Sequence, residues 1–205
     1  MNIHLQKRND KRAGWEWRFA ATTNTRLIRR AFFLMVACWL FLNPARALSL
    51  NNEDEEYALK LACLYNFTKF VEWPAGSYRD AGAPLAICVI GEDPFGPDLE
   101  ADLRTRKAGS HPVEVKMLRS NETLNSCHIV FVPATENNQA TRVVTALKNS
   151  STLTVGETDG FAALGGIINL TVENNKLHFE VNRLAAERAG LIISSKLLSL
   201  AKIVQ

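Results

Sequence analysis

With 205 residues, 47% of them hydrophobic and 22% charged, the chain has the composition of a globular domain and not of a disordered or collagen-like one. Its 24 lysines and arginines exceed its 21 acidic residues by three, but nine of the basic residues lie in residues 1–47, against only Asp10 and Glu16. Without that segment the balance is 15 to 19, a net charge of −4, which leaves no basic surface for nucleic acid.

Residues 1–47 read as a targeting segment. Basic residues up to Arg30 precede "AFFLMVACWLFL", Ala31 to Leu42, an uncharged apolar run of twelve. A membrane-spanning helix needs about 20 residues, whereas this length suits a signal-peptide core. Pro44 and the small-x-small sequence Ala45-Arg46-Ala47 follow, so cleavage is expected after Ala47, leaving a domain of residues 48–205. An uncleaved anchor is the alternative. Arg29-Arg30-Ala31-Phe32 touches the twin-arginine export pattern, although arginines before an apolar core are ordinary and favour the general secretion route.

The expected domain opens with "NNEDEEYALKLACLYNFTKFVEWP". Asn51 or Asn52 caps a helix, and Glu53 to Glu56 lie where negative charge favours the dipole. Tyr57, Leu61, Leu64, Tyr65 and Thr68 form one row at three- and four-residue steps, and Cys63, Phe67, Phe70 and Val71 form a second. Pro74 ends the helix. Tyr65, Phe67 and Phe70 are therefore read as core. Trp73, at the exit, either covers the end of a sheet or lines a groove for a partner.

"PLAICVIG" is a continuous apolar run suited to a fully buried strand. "DPFGPDLEADLRTR" turns into a short helix, "HPVEVKML" alternates as a half-buried strand, and "CHIVFVP" is a second buried strand before a helix in "NNQATRVVTALKN". "TLTVGE" is a strand, and "GFAALGG" is a turn with a short helical piece. "IINLTVENNKLHFEVN" gives two alternating strands about a turn. The remaining "RLAAERAGLIISSKLLSLAKIV" reads as helix, broken or kinked at Gly190. Buried strands alternating with helices predict an α/β single-domain sandwich: a mainly parallel central sheet, helices on both faces and a late antiparallel hairpin.

Chemistry finds few candidates. Cys38 lies in the signal core, leaving Cys63, Cys88 and Cys127. In an oxidising compartment three cysteines give one pair and a spare thiol, or three buried thiols if none pair. Neighbouring strands could bring Cys88 and Cys127 together, but spacing alone does not choose. His111, His128 and His178 are too scattered for a metal site. There is no Gly-x-Ser-x-Gly elbow, and Ser110 and His111, adjacent in an extended segment, point apart. Glu92 and Asp93 would repel an anion after the first buried strand, and Asp98 with Asp102 reads as a solvated helix face. No catalytic residue, metal or cofactor is expected.

Five segments in order, "YALKLACLYNFTKFVEWP", "LAICVIGEDPFG", "CHIVFVP", "LTVGETDGFAALGGIINLTVENNKLHFEVN" and "AAERAGLIISSKLLSLAKIV", resemble the YfiR-like family of bacterial periplasmic proteins. The resemblance covers nearly all of residues 55–204. It implies a periplasmic regulator and not an enzyme. Such proteins repress an inner-membrane diguanylate cyclase by binding its periplasmic sensory portion, and capture by an OmpA-type outer-membrane lipoprotein releases cyclic di-GMP synthesis and biofilm formation. The family's cysteine pattern implies a Cys88–Cys127 disulfide; a second pair found in some relatives has no counterpart here. Expected partners are the cyclase's periplasmic domain, the lipoprotein and a second copy of the chain in a homodimer. The alternative is a periplasmic small-ligand sensor for another membrane receptor such as a histidine kinase, with its crevice at the carboxyl edge of the sheet.

Overall fold

"LAICVI", buried at all six positions, becomes the central strand β2 (Leu85–Ile90). The computed structural model describes residues 52–119, 122–174 and 176–204; the expected signal peptide and the cleavage point after Ala47 lie outside them. Leu85, Ile87 and Val89 point into one core layer, and Ala86, Cys88 and Ile90 into the other. This is the two-residue period of a strand covered on both faces.

An eight-stranded sheet is built around it, in the order β10 (Lys202–Val204), β8 (Lys176–Asn182), β7 (Ile168–Glu173), β6 (Leu153–Gly156), β5 (Ile129–Val132), β2, β4 (His111–Leu118) and β3 (Lys107–Ala108). β4 and β5 flank β2 in parallel, and β6 continues beside β5. β7 runs parallel to β6 and returns as β8 in the antiparallel hairpin, with Asn174 at φ 51° in its turn. The edges are short, β3 on one side and β10 on the other. Short edges offer little ladder to a passing strand.

Helix α1 (Asn52–Phe70) lays Leu61, Leu64 and Phe67 on one face of the sheet. The same layer takes Leu103 from α2 (Pro97–Arg104) and Ala185 and Ala186 from α4 (Arg183–Arg188). The opposite face is covered by a 3₁₀ turn (Ala134–Gln139) running into α3 (Ala140–Leu147), which buries Val143, Val144 and Leu147. The predicted α/β sandwich, with a mainly parallel sheet, helices on both faces and the late hairpin, is the observed fold.

Two readings need correction. The first helix stops at Phe70, and Val71–Glu72 form a short strand β1 paired antiparallel with β9 (Ile192–Ile193). Pro74 pushes the residue before it towards extended backbone, and the pairing carries that conformation back to Val71. The tail after Gly190 is not one helix: β9, then a single turn α5 (Ser195–Leu198) capped by Ser194, then β10. Gly190, at φ 70°, takes the left-handed conformation that ends α4.

The loop after β6 closes around Phe161. Its fully buried ring lies where a side chain on Gly156 or Gly166 would be, within 2.4 and 2.2 Å of the ideal Cβ positions. The Gly165-Gly166 pair ahead of β7 therefore serves a close approach to an aromatic ring as well as a turn.

Candidate functional site

The larger hollow, a cleft of about 810 Å³, opens at the amino ends of the parallel strands. Its floor holds Ala86 at the start of β2, Cys127 and His128 ahead of β5, and Thr152 ahead of β6. One wall is the loop that follows Trp73, through Pro74, Ser77 and Arg79 to Pro84; Glu114 and Lys116 of β4, 3.1 Å apart, contribute charge. The crevice expected at the carboxyl edge is thus not where the larger opening lies.

His128 fastens that wall to the sheet. Its Nδ1 accepts the Ala86 amide hydrogen (3.1 Å) and its Nε2 lies 3.1 Å from the Ser77 carbonyl oxygen. An amide N–H only donates and a carbonyl only accepts, so the ring is neutral with its proton on Nε2. Its backbone carbonyl takes the Trp73 indole N–H (3.3 Å) and the Leu153 amide (2.8 Å). Tyr78 then stacks between two imidazoles, 3.7 Å from the His111 ring centroid and 4.5 Å from that of His128. His111 Nδ1 lies 2.7 Å from the Ala83 carbonyl and pins the far end of the loop. Burial pushes the His128 pKa below 6.5; the Ser77 carbonyl opposes the shift, and the positive charges of His111 and Lys116 reinforce it. Burial also raises the pKa of the Tyr78 hydroxyl.

At the carboxyl edge a smaller hollow of about 450 Å³ surrounds a buried ion pair. Lys60 of α1 pairs with Glu157, which follows β6, and also with Glu56. Glu157 Oε1 accepts the Tyr57 hydroxyl (3.0 Å) and the Ala134 amide (2.6 Å). Lys60 Nζ lies 4.4 Å from the Tyr57 ring centroid. Each charge is matched by an ion pair, as burial demands, and Glu157 Oε1 adds two hydrogen bonds; the cluster ties α1 to the ends of β5 and β6.

Cys88 and Cys127 form the disulfide, Cα atoms 5.8 Å apart, with both residues buried against α3. Cys63 remains a half-buried free thiol whose pKa is raised by burial, which keeps it protonated and unreactive. Trp73 is half-buried and covers the amino end of the sheet through its bond to His128. Phe67 is core, whereas Tyr65 and Phe70 are half-buried at the core's margin. Asp98 and Asp102 are exposed, and Asp102 pairs with Arg106. The reading from sequence missed both histidine anchors and the Lys60–Glu157 pair. Among the described residues no group of three His, Cys, Asp or Glu side chains is arranged for a metal, and no helix is long and apolar enough to cross a membrane.

A curled, mostly parallel sheet tied by one buried disulfide, with a polar cleft at its amino edge, defines a disulfide-linked α/β module. The model of the YfiR/HmsC-like family matches residues 57–202, and the chain belongs to that family. Membership supports a regulatory role in the periplasm. No curated protein matches the chain significantly. Among solved structures, a conserved domain protein from Vibrio cholerae O1 biovar El Tor N16961 is similar at 12% identity and a TM-score of 0.49, covering 73% of this chain and 60% of that one. The ABC domain in complex with L-Trp from Streptococcus pneumonia is similar at 12% identity and a TM-score of 0.43, covering 58% of this chain and 55% of that one. The chain thus spans about three fifths or less of each.

Proposed function

We propose that this protein is a soluble periplasmic negative regulator. It docks on the periplasmic sensory domain of an inner-membrane diguanylate cyclase and restrains cyclic di-GMP synthesis, and through it biofilm formation. The observation that carries this reading is the family match across residues 57–202. An inhibitor of this kind needs a stable scaffold whose output is the fraction bound, and mass action lets any competing partner, such as an OmpA-type outer-membrane lipoprotein or a second copy of the chain, relieve the inhibition. Trp73, at the head of the cleft wall, is our candidate for the aromatic nearest that partner. Deleting the gene should raise cellular cyclic di-GMP and biofilm mass, and re-expression should restore both. An unchanged nucleotide level in the deletion strain would overturn the proposal.

A second reading is favoured by the cleft. Its hydroxyl lining and the buried Ser77 hydroxyl oxygen, Oγ, which has no hydrogen-bond partner among the described residues, suit a small polar ligand signalling to another receptor such as a histidine kinase. A ligand that prefers the folded state must raise the melting temperature. A metabolite panel that leaves the melting temperature unmoved would remove this reading without touching the first.

A further inference from the structure

The loop between Trp73 and Leu85 has no strand or helix of its own, yet it forms a whole wall of the cleft. Side-chain anchors hold it: Tyr78 wedged between two imidazoles, Ser77 bonded to His128, and Ala83 bonded to His111. The two histidines differ in one respect. His111 offers Nδ1 to a carbonyl, so an added proton leaves that bond intact. His128 uses Nδ1 as an acceptor for a backbone N–H.

We propose that His128 is a proton-operated latch on the cleft wall: protonation at Nδ1 sets two donors against each other at Ala86, and the imidazole must leave its seat and release Ser77 and Tyr78. The groups that share its surroundings are Tyr78 and Arg79 on the loop and His111, Glu114 and Lys116 on β4. Stacking of a cationic ring on Tyr78 favours the protonated form modestly, and Glu114 offers a countercharge that Lys116 already engages. Against these stand a buried N–H left without an acceptor and the cost of charging a half-buried ring. The second pair of effects is larger, so the added proton opens the wall. The lowered pKa of His128 is in keeping with that balance. An exported protein meets the acidity of its surroundings, and a latch of this kind would tie cleft access to it. That use rests on the periplasmic reading; the latch itself does not.

The test is amide hydrogen exchange, resolved by NMR, on the purified exported protein between about pH 7.5 and about pH 5, the range in which histidine titrates. After correction for intrinsic exchange, protection of Ala86 and of the hydrogen-bonded loop amides of Ser77, Gly82 and Ala83 should fall about tenfold or more, tracking the His128 ring titration, while Val130 in β5 stays protected. His128→Gln, which can accept and donate but does not titrate here, should abolish that dependence. Loop protection that ignores the titration of His128, or an H128Q protein with the same pH dependence as wild type, would overturn the proposal. If H128Q does not fold, the wild-type titration decides alone. A cyclase-binding failure would leave these readouts unmoved, so the two proposals fail separately.

Discussion

Replacing both Cys88 and Cys127 by alanine removes a cross-link between residues 39 apart in the chain. Tying such a loop restricts the unfolded ensemble by about 4 kcal/mol at 25 °C on the chain-entropy model. That is a large part of the roughly 5–15 kcal/mol that stabilises a typical domain. The native sheet needs the bond less than the unfolded chain feels it, because β2 and β5 already hold their register through Ile87↔Ile129 and Val89↔Phe131. The double variant should therefore fold to the same structure with a lower urea midpoint. With a urea m-value of about 2 kcal/mol/M, the shift is about 2 M. Cys63→Ala, at a half-buried free thiol, should move the midpoint far less. Urea melts of the three proteins, with peptide mapping under non-reducing conditions, decide the matter. A double variant within about 0.5 M of wild type, or a crosslink that contains Cys63, would refute the reasoning.

Three further outcomes are expected. Lys60→Met should cost about 3–5 kcal/mol by leaving the buried Glu157 carboxylate without its countercharge, Glu157→Leu should cost less because Lys60 keeps Glu56, and the two together should cost less than the sum; additive costs in urea melts would show that the pair does not act as a unit. Gly166→Ala should destabilise by about 1–3 kcal/mol or more by driving a methyl into the Phe161 ring, whereas Gly82→Ala, whose Cβ would meet only Asp80 Oδ1 at 3.5 Å, should be near neutral; equal melting temperatures for the two would contradict the close approach. Because His128 binds its proton less readily folded than unfolded, wild-type stability should hold above its ordinary pKa of 6.5 and fall as pH drops from there towards the depressed folded value. The H128Q protein should lack that component of the decline, and parallel stability profiles for the two proteins would argue against it.

The parts of the fold legible in sequence are those with a local cause. β2 and β5 announce themselves as unbroken apolar runs because both their faces are covered. The alternation of His111–Leu118 survives as a half-buried strand. The tail misled because "GLIISSKLLSLAKIV" is apolar at helix-compatible spacing, while its strands are two and three residues long. Those strands exist only through partners far off in the chain, Val71 for Ile193 and Val181 for Ile203. The anchors of the cleft were hidden for the same reason. The side chain and carbonyl of His128 reach partners 42, 51 and 55 residues away, and Tyr57 meets Glu157 across 100. No window along the chain contains both ends of such a contact.

The central claim is that this protein acts from outside the inner membrane by restraining a cyclase, and co-expression tests it most directly. Each inner-membrane diguanylate cyclase of the source organism would be produced in a heterologous host with the full chain, or with residues 48–205 alone held in the cytoplasm, and cyclic di-GMP measured. The full chain should lower the nucleotide for at least one cyclase, and the cytoplasmic form should leave it unchanged. Repression of none of them, or equal repression by both forms, would contradict the account.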